Sequence, residues 1–291
     1  MKKNTESQWT ETIELKAEPL VGFQGVLGAY SHVATQQYFA KVNAQLKAFT
    51  LFEDVVKAVV EGTIDYGVLP IENSSTGGIT EVYDLIRRYD CHIVGEQLVK
   101  VEHCLMAYPG TKLEDITEVY SHPQGFAQCR PFFHRYPQME LLNYFNTAKA
   151  AELVAKEKSK YMAAVAGAQA AKRYGLEILA QGINANKYNY TRFFIIAAGP
   201  ARNTAADKIT LVVALKHEPG SLYQLLRHFA EHGLNMLNIE SRPIEGKPWE
   251  YFFHIDISGN LADKNVQEAL AEIEHHTTDC KILGNYQAAK L

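Results

Sequence analysis

From Leu20 to about Ala198 the sequence alternates short apolar runs with amphipathic stretches, and this alternation restricts the possible folds more than any other feature. Apolar runs of four to eight residues bounded by Gly, Pro or small polar residues have strand length, and the segments between them carry helical spacing. Strands alternating with helices build an α/β domain on a largely parallel sheet. Strands are predicted over 20–23, 47–51, 66–71, 104–108, 118–120, 141–145 and 161–165. Ser31 is placed to cap a helix running to Lys41, Gly62 stops the helix over 53–61, and Thr147 opens an Ala-rich helix to Lys158.

At 199–207 the text changes to GPARNTAAD, small and polar with no apolar period, which reads as an interdomain linker. Beyond it lie a strand (209–216), a helix (220–232), two strands (234–244 and 249–258), a helix (266–276) and a strand (281–286). That order is βαββαβ, a ferredoxin-like unit whose sheet edges suit pairing with another copy, so a homodimer or homotetramer is expected.

Composition narrows the partners. The 291 residues hold 29 Lys plus Arg against 33 Asp plus Glu, a net charge of −4 with no block of one sign, which argues against nucleic acid or an anionic membrane as partner. Cys91, Cys104, Cys129 and Cys280 form no C-x-x-C pair, so free thiols in a reducing compartment are expected. Residues 1–19 read as a polar arm without the apolar stretch of a secretory signal. No apolar run nears the roughly 20 residues needed to cross a bilayer. A cytoplasmic protein acting on small molecules is the expectation.

Small polar residues collect after the predicted strands and before the predicted helices, in GVLGAYSH (25–32), IENSSTGG (71–78), SHPQG (121–125) and FNTAKA (145–150). In open α/β sheets this end of the strands forms the ligand crevice, and helix-start N–H groups favour carboxylates or phosphates. Ser31, Ser74, Ser121 and Thr147 could each be an ordinary helix cap. Six consecutive hydroxyl, amide or glycine positions in IENSSTGG exceed what one cap needs, which favours a convergent anion site. Gly22, Gly25 and Gly28 have the wrong spacing for a dinucleotide fingerprint, and no phosphate-loop pattern occurs, so no nucleotide cofactor is indicated. His228 and His232 stand four apart but lack the glutamate that H-E-x-x-H places directly after the first histidine, and an evident third ligand, so no metal is predicted. In NYTRFFIIAAG (189–199), Thr191 and Arg192 open an apolar strand. The guanidinium could grip a carboxylate and the hydroxyl donate a proton, or Arg192 could form a strand-edge ion pair.

GVLGAYSHVA (25–34), PIENSSTGGI (70–79), SHPQGFAQC (121–129), AAVAGAQAAKRYGLEILA (163–180) and NYTRF (189–193) resemble, in order, the motifs of the prephenate dehydratase family, including the related arogenate dehydratases. GSLYQLL (220–226) and NIESRP (238–243) resemble its ACT regulatory domain. The resemblance implies a catalytic region at 20–200 with two α/β lobes like a type II periplasmic-binding protein, lobe one 20–97 plus 184–200 and lobe two 98–183. A linker at 201–207 and an ACT domain at 208–291 would follow. It implies conversion of prephenate to phenylpyruvate in phenylalanine biosynthesis, with L-phenylalanine as allosteric effector and no cofactor. Thr191 would carry the chemistry. Arg192, Phe193, Asn73, Ser74, Ala29, Tyr30, Ser31, His122, Gln124 and Thr147 would line the cleft. Gly220, Ser221, Leu222, Glu240, Ser241, Arg242 and Pro243 would form the effector site. The chain departs from the family's usual residues at Ala185, Ser221, Leu237 and Asn238.

Prephenate must lose its ring carboxylate as CO₂ and its hydroxyl as water, and the poor leaving group needs a proton. Thr191 is the expected donor, Ser74 the second candidate, and Arg192 the expected anchor of the pyruvyl carboxylate. The alternatives are arogenate as substrate, or a non-catalytic amino-acid sensor.

Overall fold

The computed structural model describes residues 15–201 and 203–290; residues 1–14 of the predicted arm and position 202 of the predicted linker lie outside them. The chain opens with β1 (Leu20–Gln24), α1 (Tyr30–Tyr38), β2 (Gln45–Phe49), α2 (Phe52–Val60) and β3 (Tyr66–Asn73). β1 pairs parallel with β2 and β3. The two-residue β4 (Gly77–Gly78), α3 (Thr80–Arg88) and β5 (His92–Lys100) complete this first pass.

The chain then crosses into a second sheet. β6 (His103–Ala107), β7 (Glu118–Ser121), α4 (Pro123–Gln128), α5 (Arg130–Phe133), β8 (Glu140–Asn143), α6 (Thr147–Glu157), β9 (Met162–Gly167), α7 (Ala168–Tyr174) and β10 (Glu177–Ala180) follow. Their strand order is β10-β6-β9-β7-β8. Residues 181–189 lead back to β11 (Tyr190–Ala197), which inserts between β5 and β3, antiparallel to both. Two lobes joined by two crossings result.

The first sheet is therefore mixed rather than largely parallel, because the strands flanking the crossings run out and back. β5 was not among the predicted strands: Gly95, Glu96 and Gln97 interrupt its apolar pattern. Gly95 makes room there for the Tyr38 ring, which would have to move aside for a Cβ. On β11 the period-two rule decides the core. Phe193, Ile195 and Ala197 join one apolar cluster with Val21, Phe23 and Ala34, while Phe194 and Ile196 join another with Val55, Leu69 and Ile86.

The remainder is β12 (Lys208–Ala214), α8 (Ser221–Glu231), β13 (Met236–Ile244), β14 (Lys247–Ser258), α9 (Lys264–His276) and β15 (Asp279–Tyr286), the βαββαβ order read from the sequence. Its core holds Ile209, Leu211, Leu225, Phe229, Ile255, Ile257 and Val266. This sheet is not separate. β15 pairs parallel with β5 at Gly284 and Ile93, fusing the two sheets into the order β13-β14-β12-β15-β5-β11-β3-β1-β2. A Cβ at Gly284 would lie 2.3 Å from the Ile93 carbonyl oxygen, so the approach needs glycine. The expectation that both edges of the second unit stand free for another copy is thus corrected. Its β15 edge is taken within the chain, leaving β13 at the rim.

Candidate active site between the lobes

The loop between β1 and α1 brings lobe one onto lobe two. Gly25 and Gly28 take positive φ, 109° and 90°, and a Cβ at Gly28 would sit 3.2 Å from the Ala170 backbone. Tyr30 then packs over Gly167 and donates its hydroxyl to the Glu102 carbonyl at 3.0 Å. Burial holds its phenol well above the ordinary range. Ser31 is not the cap of α1; Ala29 occupies that position without a side-chain bond, and Ser31 Oγ donates to the Gln24 carbonyl. The first-turn N–H groups of α1 therefore lack a side-chain cap.

The turn after β3 builds the second wall. Asn73, buried, has its Oδ1 fixed by the Ser75 backbone N–H at 3.0 Å and the Thr76 hydroxyl at 3.2 Å. Its amide therefore donates to Thr191 Oγ1 at 3.0 Å and to Asn189 Oδ1 at 2.7 Å. Ser74 caps no helix. Its hydroxyl donates to the Tyr188 carbonyl at 3.0 Å and accepts from the Tyr190 N–H at 2.9 Å, which stitches this turn to β11 and spends its proton.

Lobe two contributes His122, the N-cap of α4, whose Nδ1 accepts from the Gln124 N–H. Ser121, read as a possible cap, instead donates to the Val165 carbonyl. Thr147 is the first residue of α6, capped by Asn146, and its methyl lies 3.5 Å from where a Gly125 Cβ would be, which joins the starts of α4 and α6. His122 and Gln124 are exposed.

Two expected cleft residues are elsewhere. Phe193 is 2% exposed within the lobe-one core. Arg192 faces away from Thr191 because neighbours on a strand point to opposite sides. Its guanidinium is bound by Asp256 of β14, by Glu72 at 3.0 Å and by Glu96 at 3.5 Å, while Lys208 of β12 holds both Glu96 oxygens at 2.8 and 2.9 Å. Burial works against this charge, but Asp256 and Glu96 outweigh it and raise the pKa further. The expected substrate anchor is thus an internal ion-pair cluster between lobe one and the C-terminal unit, a buried form of the alternative ion-pair reading.

Three residues given no role by the sequence complete the polar network: Asn189 and Gln128, which lie within quoted motifs, and His103, which lies outside them. Asn189 donates to Gln128 Oε1 at 3.0 Å, Gln128 Oε1 meets His103 Nε2 at 2.8 Å, and His103 Nδ1 lies 3.3 Å from the Tyr30 hydroxyl. Nothing in their local spacing marks them, since each partner is tens of residues away.

On the C-terminal unit, Gly220 caps α8 with φ 87°, ahead of Ser221 and Leu222. Glu240, Ser241, Arg242 and Pro243 lie on β13. Arg242 grips Asp84 of α3 through Nε at 3.1 Å and Nη2 at 2.6 Å, and a Cβ at Gly78 would meet Glu240 Oε2 at 3.3 Å. The expected effector motif therefore also braces the helix that follows the Asn73 turn. His228 and His232, which lacked a third ligand in the sequence, both meet Glu272 of α9, at 2.7 and 3.2 Å. His228 Nε2 is buried without a partner among the described residues, so a metal on Nδ1 would force a proton onto an unsatisfied nitrogen; helix pairing through Glu272 is the arrangement these atoms suit.

An α/β pair of lobes enclosing an uncharged hydroxyl–amide site, fused to a βαββαβ module, is the class these features define. The family model for prephenate dehydratase matches residues 21–201, and that for the ACT domain residues 209–275. A bifunctional chorismate mutase/prephenate dehydratase of Escherichia coli (strain K12) is 40% identical over 271 residues, 91% of this chain and 70% of that protein. The solved prephenate dehydratase of Arthrobacter aurescens in complex with L-Phe is 32% identical with a TM-score of 0.85, covering 92% of this chain and 90% of that one. GqqA, described as a novel type of quorum quenching acylase, is 33% identical with a TM-score of 0.84, covering 93% and 98%. The chain belongs to the prephenate dehydratase family and carries its ACT domain.

Proposed function

We propose that this protein converts prephenate to phenylpyruvate, with Thr191 as the hydrogen-bond donor to the departing hydroxyl. The observation that carries this reading is the direction of the Asn73–Thr191 bond. The Ser75 N–H can only donate, so Asn73 Oδ1 is an acceptor and its amide nitrogen must donate to Thr191 Oγ1. Thr191 then keeps its own proton for another acceptor. Loss of the ring carboxylate as CO₂ sends an electron pair into the ring and expels the hydroxyl, which takes up one proton and leaves as water. Aromatisation drives the step, and a positioned donor at the leaving oxygen contributes roughly 10² to 10⁴ in rate. Acyl transfer, the chemistry of an acylase, is less suited to these atoms, because Thr191 faces an amide donor where a nucleophile needs a base.

With Arg192 engaged, the substrate carboxylates fall to uncharged donors, the N–H groups at the start of α1 around Tyr30 and Ser31 and those at Thr147. Such a cradle suits decarboxylation, since a strong grip on the departing carboxylate stabilises the ground state. L-Phenylalanine is the proposed effector at the ACT domain, acting through Arg242 on α3 and through Asp256 on the strand of Thr191. Leu222, Tyr223, Leu237, Trp249 and Tyr251 of this domain are exposed, which supports a homodimer or homotetramer formed there. No helix among the described residues is long and apolar enough to cross a membrane. The cysteines are free, three of them buried, which accords with a cytoplasmic setting.

Purified protein incubated with prephenate is expected to generate phenylpyruvate, read by its absorbance in alkali, and Thr191→Ala to lose that activity with the fold intact. Turnover of arogenate alone would reassign the substrate, and turnover of neither would favour a sensor.

A further inference from the structure

We propose that His103 is a positioning residue of this active site, held as the neutral Nε2–H tautomer so that the Gln128 amide presents its NH₂ to the cleft; the inference rests on the dehydratase reading above. The orientation follows from one backbone group. Ser75 N–H fixes Asn73 Oδ1 as an acceptor, so the Asn73 NH₂ donates to Asn189 Oδ1. Asn189 must then donate through its own NH₂, and Gln128 Oε1 accepts it. The same Gln128 oxygen meets His103 Nε2 at 2.8 Å, so that nitrogen carries the proton. His103 Nδ1 is left with a lone pair facing the Tyr30 hydroxyl.

The amides and the His103 ring are thereby oriented, the single Tyr30 proton is shared between the Glu102 carbonyl at 3.0 Å and His103 Nδ1 at 3.3 Å, and Gln128 retains two N–H donors with no protein partner among the described residues. His103 is 3% exposed, and its backbone N–H is fixed by Asn184 Oδ1 at 3.1 Å. Burial lowers its pKa, which keeps the ring neutral. The placement gives this pair a second task. Tyr30, Asn73, Asn189 and Thr191 belong to lobe one, whereas His103 and Gln128 belong to lobe two, on β6 and α4. His103 and Gln128 are thus the lobe-two links of a polar run attached to lobe one at both ends, and they fix the distance across the cleft beside Thr191.

His103→Phe keeps a flat ring but offers no donor to Gln128, and His103→Gln restores an amide N–H near the Nε2 position. With wild-type turnover of prephenate established first, His103→Phe is expected to lower kcat/KM about tenfold or more, the size of one misplaced hydrogen bond. His103→Gln is expected to recover to within about threefold of wild type, both variants keeping the wild-type melting temperature within a few degrees. Nitrogen-15 NMR of histidine-labelled wild-type protein should show His103 as the neutral Nε2–H form. A Phe variant within twofold of wild type, a Gln variant no better than Phe, or an Nδ1–H or doubly protonated His103 would each overturn the proposal. Absence of turnover in the wild type would instead strike the dehydratase reading, and the NMR result would stand apart from it.

Discussion

Replacing Arg192 with Leu separates two roles that the sequence left open, because a substrate anchor and a buried strut fail in different ways. The cluster holds two cations, Arg192 and Lys208, against three carboxylates, Glu72, Glu96 and Asp256, for a net charge of −1. Removing Arg192 takes it to −2 and strands Asp256, whose remaining bond is from the Thr210 hydroxyl at 2.7 Å. Leaving a buried charge unpaired costs about 3–5 kcal/mol. At about 2–4 °C per kcal/mol the melting temperature should fall by roughly 6–20 °C. The double variant Arg192→Leu with Asp256→Leu returns the cluster to −1 and should recover most of that loss, since a buried ion pair and an apolar pair of similar volume are often close in stability. The KM for prephenate should stay within about threefold. A substrate anchor would behave otherwise: losing a charge-assisted bond worth about 1.5–3 kcal/mol raises KM roughly 10- to 150-fold. Thermal melts of the three proteins with steady-state kinetics decide. A tenfold rise in KM at an unchanged melting temperature would refute the strut.

Asn73→Asp should lower kcat by about 10²-fold, on the scale of removing one positioned donor, because a carboxylate at that place accepts the Thr191 proton and turns it inward; near-normal kcat would remove the carrying observation. Gly284→Ala should cost about 1–3 kcal/mol in urea unfolding, through the forced shift of β15 from Ile93. His254 is packed on Tyr83 where the ACT domain meets α3, near Arg87, Asp84, Asp256 and Arg242, and burial lowers its pKa to about 4. The unfolded chain therefore takes up its proton first. The stability from this residue is complete above about pH 6.5 and falls as the pH drops towards 4, by up to about 3 kcal/mol. Urea midpoints at pH 7 and 4.5 should show the loss in the wild type and a smaller one in His254→Phe.

The loops that build the site stood out in the sequence because small polar residues after strands are a local signal. Asn73 was legible for that reason, and Thr191 because it opens an apolar strand within a motif that resembles the family's. His103, Gln128 and Asn189 were not, since their meaning is a hydrogen-bond direction passed between residues 61 and 25 positions apart. Arg192 was misplaced by reading adjacency along the chain as adjacency in space, although strand alternation alone puts 191 and 192 on opposite faces. The βαββαβ order was plain from spacing. Its fusion to the first sheet was not, because a single glycine at the end of the last strand carries no pattern.

That fusion means the C-terminal unit cannot be subtracted from the molecule as a self-contained piece. Cutting the chain after β11 would strip β5 of β15 and bare a strand edge lined by His92, Ile93 and Val94. It would also open the buried carboxylate of Glu96 to water on the face behind Thr191. An unpaired edge of this kind is a template for self-association. Truncation intended to release the enzyme from its effector would more readily yield an aggregate than an unregulated catalyst.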